Sequence, residues 1–241
     1  MTLLQHHVLA LLFTATTAIG LGLLVFLTNP KRRLNQVFGF YSLCIAWWVI
    51  PEAFLIRTHL QSTANLLAYL EWPGVIFIAP TFLHTVFLAT DFKGPLARRV
   101  LMLSYLLSVV FLCLHLPGFG LIARPPRPVG YVLFHNKLGS VGVMVVLTFA
   151  VFVVIGLWKL WTAYRYATGQ QRTRLKFLFW GSCIGYLGGS PDWLFTFGMT
   201  IPGLNPFGVY GVPLYFIAMT YAVFQHKLFD VHLVIRKSLV Y

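Results

Sequence analysis

Charged residues are scarce in this sequence, and acidic residues are scarcest of all. Of the 241 residues, 10% are charged and 5 are Asp or Glu, whereas 59% are apolar. A soluble domain is typically about 25% charged and about 45–50% apolar, so an ordinary soluble domain is excluded. Disordered chains are poor in apolar and aromatic residues, which excludes disorder as well. Together with a mean hydropathy of +0.80, the composition predicts a polytopic membrane protein.

Cysteine is also rare, and the common catalytic motifs are missing. Cys44, Cys113 and Cys183 form no CxxC pair, so they indicate neither a disulfide framework nor a thiolate metal site. The chain contains no HExxH, GxSxG or P-loop motif. The last apolar stretch contains no lysine that could carry a retinal Schiff base. We therefore expect no cofactor, no metal and no enzymatic activity.

Long apolar runs dominate what is present. A helix that crosses a membrane requires about 20 mostly apolar residues. Seven stretches approach that length, at roughly 8–28, 37–56, 66–90, 100–118, 138–161, 175–197 and 207–225. They are continuously apolar, unlike the alternating strands of about 10 residues in membrane β-barrels. The expected fold is all-α: a bundle of seven transmembrane helices over residues 1–225, followed by a juxtamembrane exit segment, 226–241.

Basic residues alternate between rich and poor loops. Counted along the chain, 14 of the 18 Lys and Arg residues fall in or beside the loops after spans one, three, five and seven. By the positive-inside rule these loops are cytoplasmic, which predicts an outside N-terminus and a cytoplasmic C-terminus. The net charge of +13 then reflects topology and attraction to anionic lipids, and no nucleic acid partner is expected. The longest outer loop, 118–139, is rich in proline and is expected to be an irregular lid over the bundle.

Three of the five acidic residues fall at membrane depth, at Glu52, Glu71 and Asp192. A carboxylate there costs roughly 2.5–3.5 kcal/mol on insertion scales, which makes each a functional candidate. The predicted topology places all three in the outer half, where His135 could join them. One interpretation is a polar pocket that binds a cation, a metal or a polar ligand. The other is that each carboxylate caps a helix or pairs with a nearby arginine. The candidate ligand-binding residues are Glu52, Glu71, Trp72, Asp192 and His115.

Glycine recurs at every fourth position in the sixth apolar stretch, at Gly181, Gly185 and Gly189. This spacing places the glycines on one helix face and allows a neighbouring helix to approach closely. The same face would turn Asp192 towards the bundle interior. Pro191 interrupts the helix just before Asp192. We expect this region to serve helix packing through its glycines. The alternative is that the break in the helix lines a pocket.

The last residues form the most specific phrase of the chain, HKLFDVHLVIRKSLVY at 226–241. By its composition it is a basic, amphipathic segment that would lie at the membrane surface. It resembles the segment that follows the seventh span in the N-terminal seven-helix region of bacterial sensor histidine kinases. The Asn29-Pro30 turn with its basic loop, and the positions of Glu52 and Glu71, are similar to that family too.

The resemblance implies a signal-input domain in the bacterial inner membrane that senses an unknown small ligand or a membrane condition. It implies a possible homodimer and a cytoplasmic kinase output domain in cis. The chain carries neither the phosphoacceptor helix nor the ATP-binding domain of that family, so no kinase activity of its own is expected. The candidate signal-relay residues are Leu228, Phe229, Asp230 and Arg236. Two other functions remain open: a proton- or cation-coupled transporter, and a membrane scaffold subunit.

Overall fold

The computed structural model describes residues 1–201 and 204–226, with side chains described as far as residue 222. This part of the chain contains eight α-helices and one two-stranded sheet. A single 3-10 turn, Gly208–Tyr210, precedes the last helix. In chain order the elements are α1 (Leu3–Thr28), α2 (Arg33–Leu55), α3 (Gln61–Ala89), α4 (Pro95–His115), β1 (Ala123–Val129), β2 (Val132–Leu138), α5 (Gly142–Tyr166), α6 (Gly169–Gly189), α7 (Asp192–Thr196) and α8 (Gly211–His226).

Five of these helices, α1 to α5, are long and apolar enough to cross a membrane. Helix α6 falls short of that hydropathy because Arg172, Arg174 and Lys176 lie in its first turns. Helix α8 is described over 16 residues, up to the last described position, and over this range it is shorter than a typical span. The chain is therefore a multi-pass helical membrane protein. The count of seven spans and the orientation of the termini remain predictions.

The expectation of an all-α fold with an irregular 118–139 loop is wrong in this loop, which contains a β-hairpin. Strands β1 and β2 pair antiparallel through a turn of two residues, Gly130 and Tyr131. Gly130 has a φ of 57°, a left-handed value that glycine adopts without strain. Prolines in β1 had argued against a strand, but both strands of an isolated hairpin are edge strands, where proline is tolerated. Beside these prolines the pairing register of the two strands shifts, so the ladder is locally irregular.

The hairpin covers one end of the helical bundle. The backbone N–H of Leu133 donates to the carbonyl of Ile56 at 3.0 Å, which ties β2 to the connection between α2 and α3. The Gln61 side chain donates to the carbonyl of Pro126 at 3.3 Å. Val129 and Val132 pack into the main core together with Phe195. We call this the hairpin end; the loops around Lys31 and Lys93 lie at the other, basic end.

Helices α2 and α3 approach each other closely at Gly74. A Cβ atom at Gly74 would lie 2.7 Å from the carbonyl oxygen of Cys44 and 2.7 Å from the backbone nitrogen of Trp48. Glu52 lies one helical turn after Trp48, and Glu71 lies one turn before Gly74. Because the two helices run antiparallel, this contact brings both glutamates to the same level near the hairpin end.

Helix α6 packs against α8 through its glycines. A Cβ at Gly185 would lie 3.0 Å from Cβ of Tyr215, and one at Gly189 would lie 3.3 Å from Val212. Gly181 faces the Tyr215 ring at 3.3 Å by the same measure. Gly188 makes the tightest contact, because a Cβ there would lie 2.5 Å from the carbonyl oxygen of Gly208. The glycine face of α6 is therefore occupied by α8 and the turn before it.

The helix breaks where proline predicted it. Helix α6 ends at Gly189 and α7 begins at Asp192. The side-chain amide of Asn205 donates to the carbonyl of Pro191 at 2.9 Å, and its oxygen accepts from the backbone N–H of Ile201 at 2.6 Å. Asn205 is buried, and its side chain ties the carbonyl at the break to the segment before α8. This support fixes Asp192 at the start of α7.

Candidate ligand-binding site

The bundle encloses a cavity of about 420 Å³. Its walls come from α2, α3, α5, α6 and α8, and β2 and α7 close it at the hairpin end. The volume lies in the range of pockets that hold small molecules, roughly 300–1,000 Å³. The acidic side chains that line it are Glu52, Glu71 and Asp192, and His135 from the hairpin joins them.

The first polar cluster joins α2, α3 and β2. Nε2 of His135 lies 3.1 Å from Oε1 of Glu52, and Nδ1 of the same ring lies 3.2 Å from the carbonyl oxygen of Asn136. The Asn136 side-chain amide donates a short hydrogen bond to Oε1 of Glu71. Glu52 and Glu71 are thereby connected through two adjacent residues of β2. All four side chains are buried.

This geometry sets the charges of the cluster. A carbonyl oxygen can only accept, so Nδ1 of His135 carries a proton, and the carboxylate at Nε2 favours a second proton there. Burial lowers the pKa of His135, but the Glu52 carboxylate outweighs it and holds this pKa above its ordinary value. Glu71 has the neutral amide of Asn136 as its contact, so Glu52 is the glutamate of this cluster that pairs with an imidazole.

A second cluster joins α1, α7 and the hairpin turn. Nε2 of His7 lies 3.3 Å from Oδ1 of Asp192, and Nδ1 lies 3.0 Å from the hydroxyl of Tyr131. The Phe195 ring centroid lies 5.7 Å from that of His7 and 5.0 Å from that of His135. Phe195 therefore separates the two imidazoles and holds the clusters beside each other.

The sequence-predicted residues divide between the cavity and its surroundings. Glu52, Glu71, Trp72 and Asp192 all line the cavity. His115 does not: its ring stacks on Tyr69 with centroids 4.6 Å apart, and its Nε2 lies 2.9 Å from the Tyr69 carbonyl oxygen. Its ring also lies 6.3 Å from that of Trp72, so it packs behind the cavity wall.

Sequence reasoning missed three residues of the site. His7, Tyr131 and Asn136 complete the two clusters, and none had been a candidate. A terminal histidine and a hairpin turn show no hydropathy or motif signal, because their positions depend on how segments outside the helices fold over the bundle. The alternative of carboxylate–arginine pairing is not what the described residues show, since Glu52 and Asp192 contact histidines. No metal-binding group of His, Cys, Asp and Glu occurs within the same described ranges.

Several buried polar atoms at the cavity have no hydrogen-bond partner in the described chain. They include Oε2 of Glu71, Oδ2 of Asp192 and Nε1 of Trp72. The hydroxyls of Ser182 and Tyr215 also lack a hydrogen-bond partner there. A buried polar group without a partner costs about 1–3 kcal/mol, so these atoms favour a ligand that satisfies them.

Tyrosines form the wall away from the carboxyl groups. The hydroxyls of Tyr41 and Tyr186 lie 3.4 Å apart, and the ring of Tyr41 meets that of Tyr215 edge-on at 6.3 Å. Tyr215 belongs to α8, as does Val212, which also lines the cavity. The last described helix is therefore part of the cavity wall.

These features define the class: a polytopic membrane protein with a helical bundle that encloses a ligand-sized cavity. Residues 10–232 match the family model described as the N-terminal 7TM region of histidine kinase. The chain belongs to this family, and the family resemblance of the sequence is confirmed. No curated protein matches the chain. The candidate relay positions Leu228, Phe229, Asp230 and Arg236 lie outside the described residues.

Proposed function

We propose that this chain is the signal-input region of a histidine kinase and that a small ligand in the cavity is its input. Family membership supports the role of input region. The observation that carries the ligand site is the cavity of about 420 Å³ with unpartnered polar atoms of Glu71, Trp72 and Asp192 on its wall. We place the cavity's hairpin end outside the cell and the basic end in the cytoplasm, as the distribution of basic residues predicts.

In this proposal, α8 is the helix that shifts when a ligand binds in the cavity. Val212 and Tyr215 contact the glycine face of α6 on one side and line the cavity on the other. Packed helices respond to such a contact by shifts of about 1–2 Å rather than by local compression. A ligand acts as a signal if it binds one position of α8 more tightly than another.

Beyond α8 the signal would pass through Leu228, Phe229, Asp230 and Arg236. We propose that these residues connect the bundle to a cytoplasmic kinase output domain in cis. A homodimer in the bacterial inner membrane is the proposed working state. The chain resembles sensor histidine kinases at its exit segment, and such kinases are usually dimers.

A proton-coupled transporter is a second candidate, and the buried carboxyl groups of Glu52 and Glu71 favour it. Carriers also hold carboxyl groups inside the membrane. Proton flux into liposomes that contain a pH-sensitive dye separates the candidates. A flux above that of empty liposomes, lost in Glu71→Gln, supports transport. The absence of flux together with regulated kinase activity supports a sensor.

The test of the input function fills the cavity from α8. Residues 1–241 are joined in frame to the dimerisation and ATP-binding regions of a histidine kinase, and autophosphorylation is measured in nanodiscs. Val212→Trp adds volume on the cavity side of α8, whereas Leu214→Trp adds it on the exposed side. We expect Val212→Trp to change the basal rate several-fold and Leu214→Trp to leave it unchanged. Equal rates for both variants and the parent would contradict the proposal.

A further inference from the structure

The cavity has two chemically different parts. Carboxyl and imidazole groups gather at the hairpin end, at Glu52, Glu71, Asp192 and His135. Helix α5 contributes apolar side chains along the rest of the wall, at Val146, Phe149, Ala150, Val153, Val154 and Leu157. A molecule that fills both parts needs a polar head and an apolar body.

The polar part carries more acidic than basic groups. Three carboxyl groups, those of Glu52, Glu71 and Asp192, face two imidazoles, those of His7 and His135. His135 pairs with Glu52, whereas Glu71 has the neutral amide of Asn136 as its contact. His7 can meet both of its neighbours with one ring proton, donating from Nε2 to Asp192 and accepting at Nδ1 from the Tyr131 hydroxyl. The carboxyl groups at the hairpin end therefore outnumber the imidazoles.

The unpartnered carboxyl oxygens have a matching polarity. Oε2 of Glu71 and Oδ2 of Asp192 are buried acceptors, so the head group that satisfies them must donate hydrogen bonds. An ammonium group supplies up to three donors and one positive charge. Indole rings of Trp48, Trp72 and Trp193 also line the cavity and can contact a cation through their faces.

The apolar part reaches the surface of the bundle between α5 and α6. Val154 and Leu187 both line the cavity, yet they are 63% and 73% exposed. Ala150 and Ser190, also in the lining, are exposed as well. In a membrane-embedded bundle, an apolar opening on the side of the helices faces lipid. The cavity can therefore be entered from the bilayer, and an apolar tail can extend through the opening.

We propose that the ligand is an amphiphilic cation, a protonated amine with an apolar tail. Its ammonium group binds Asp192 and Glu71 at the hairpin end, and its tail lies along α5. This inference rests on the proposed function in one respect, that the cavity is a ligand site. It adds the chemical class of the ligand and the route from the bilayer.

The experiment compares two probes with the same tail and different heads, 10-bromodecylamine and 10-bromodecanol. The protein is held in nanodiscs, and saturable bromine quenching of tryptophan fluorescence reports binding after correction for partition into empty nanodiscs. We expect the amine to bind about tenfold more tightly than the alcohol or better, the factor expected for hydrogen bonds to a charged group. Asp192→Asn and Glu71→Gln should reduce this preference towards one. Asp91→Asn is the matched control, because it removes an exposed carboxylate at the basic end.

Each result bears on a different part of the inference. Alcohol binding reports that the cavity of a variant is intact, so a misfolded variant is recognised by loss of both probes. If both probes bind the parent equally, or if the amine preference survives in both carboxyl variants, the amphiphilic cation is refuted while the cavity remains a ligand site. If neither probe shows saturable quenching in the parent, the ligand class and the lipid route are both refuted. The input function itself is decided separately by the Val212→Trp chimera.

Discussion

Two neighbouring carboxyl groups in the cavity should respond very differently to the same isosteric change. Glu52→Gln removes the partner of a buried imidazolium, because Nε2 of His135 lies 3.1 Å from Oε1 of Glu52. Glu71→Gln keeps an oxygen that accepts from Asn136. The first change breaks a charged pair, whereas the second preserves the hydrogen-bond pattern.

The magnitudes follow from burial. Breaking a buried ion pair by removing one partner costs about 3–5 kcal/mol, because the other charge remains buried. We expect a loss of this order for Glu52→Gln near pH 6, since both side chains are almost fully buried. For Glu71→Gln we expect a loss below about 1.5 kcal/mol, the net value of one hydrogen bond.

The difference should depend on pH with a definite sign. Burial lowers the pKa of His135, but the Glu52 carboxylate raises it by more, so this pKa is raised in the folded protein. A raised pKa contributes stability that is fully present below the unfolded value of about 6.5 and is lost as pH rises through the folded-state pKa. The gap between the parent and Glu52→Gln should therefore be largest near pH 6 and shrink at pH 9.

Reversible unfolding by SDS in mixed micelles, followed by circular dichroism at pH 6 and pH 9, measures both variants. If Glu52→Gln and Glu71→Gln are equally stable at pH 6, the His135–Glu52 pair does not hold the hairpin end as described. A gap that is the same at pH 9 would refute the assignment of the charge to His135.

Two further variants test the packing that positions the site. Gly74→Ala should destabilise by about 1–3 kcal/mol through overpacking, because its Cβ would lie 2.7 Å from backbone atoms of α2. Gly20→Ala is the matched control in α1, where nothing lies within 4 Å, and its unfolding midpoint should stay the same or rise. Asn205→Ala should cost about 1–3 kcal/mol, because it removes two side-chain hydrogen bonds, one to the carbonyl of Pro191 and one from the backbone N–H of Ile201. Equal midpoints for the two glycine variants, or an unchanged one for Asn205→Ala, would contradict these contacts.

The helices of the fold could be predicted because hydropathy alone determines where a chain enters a bilayer. Proline and glycine carried further information: Pro191 predicted the break before Asp192, and the four-residue spacing predicted one glycine face on α6. Gly188 was missed, since its tight contact with Gly208 depends on the turn before α8 rather than on helical spacing. The hairpin was missed because its prolines argue against strands unless the strands are known to be edges.

For the site, the sequence identified which carboxyl groups are costly but not what they contact. The depth of Glu52 and Glu71 was predicted from the expected topology, whereas their position at the same level depends on the close approach of helices at Gly74. The histidines that pair with the carboxyl groups come from the first turns of α1 and from the hairpin. No periodicity links these segments to the bundle, so their role becomes visible only in the folded protein.

The central claim is that α8 shifts when the cavity is occupied. A distance measurement by pulsed electron paramagnetic resonance tests it most directly. Spin labels are placed at Leu147→Cys on α5 and Ile217→Cys on α8, both exposed positions, after replacement of the three native cysteines. We predict that Val212→Trp, or saturation with 10-bromodecylamine, shifts the mean distance by about 1–2 Å, whereas Leu214→Trp does not. Superimposable distance distributions, measured while tryptophan quenching shows that the cavity is occupied, would contradict the claim.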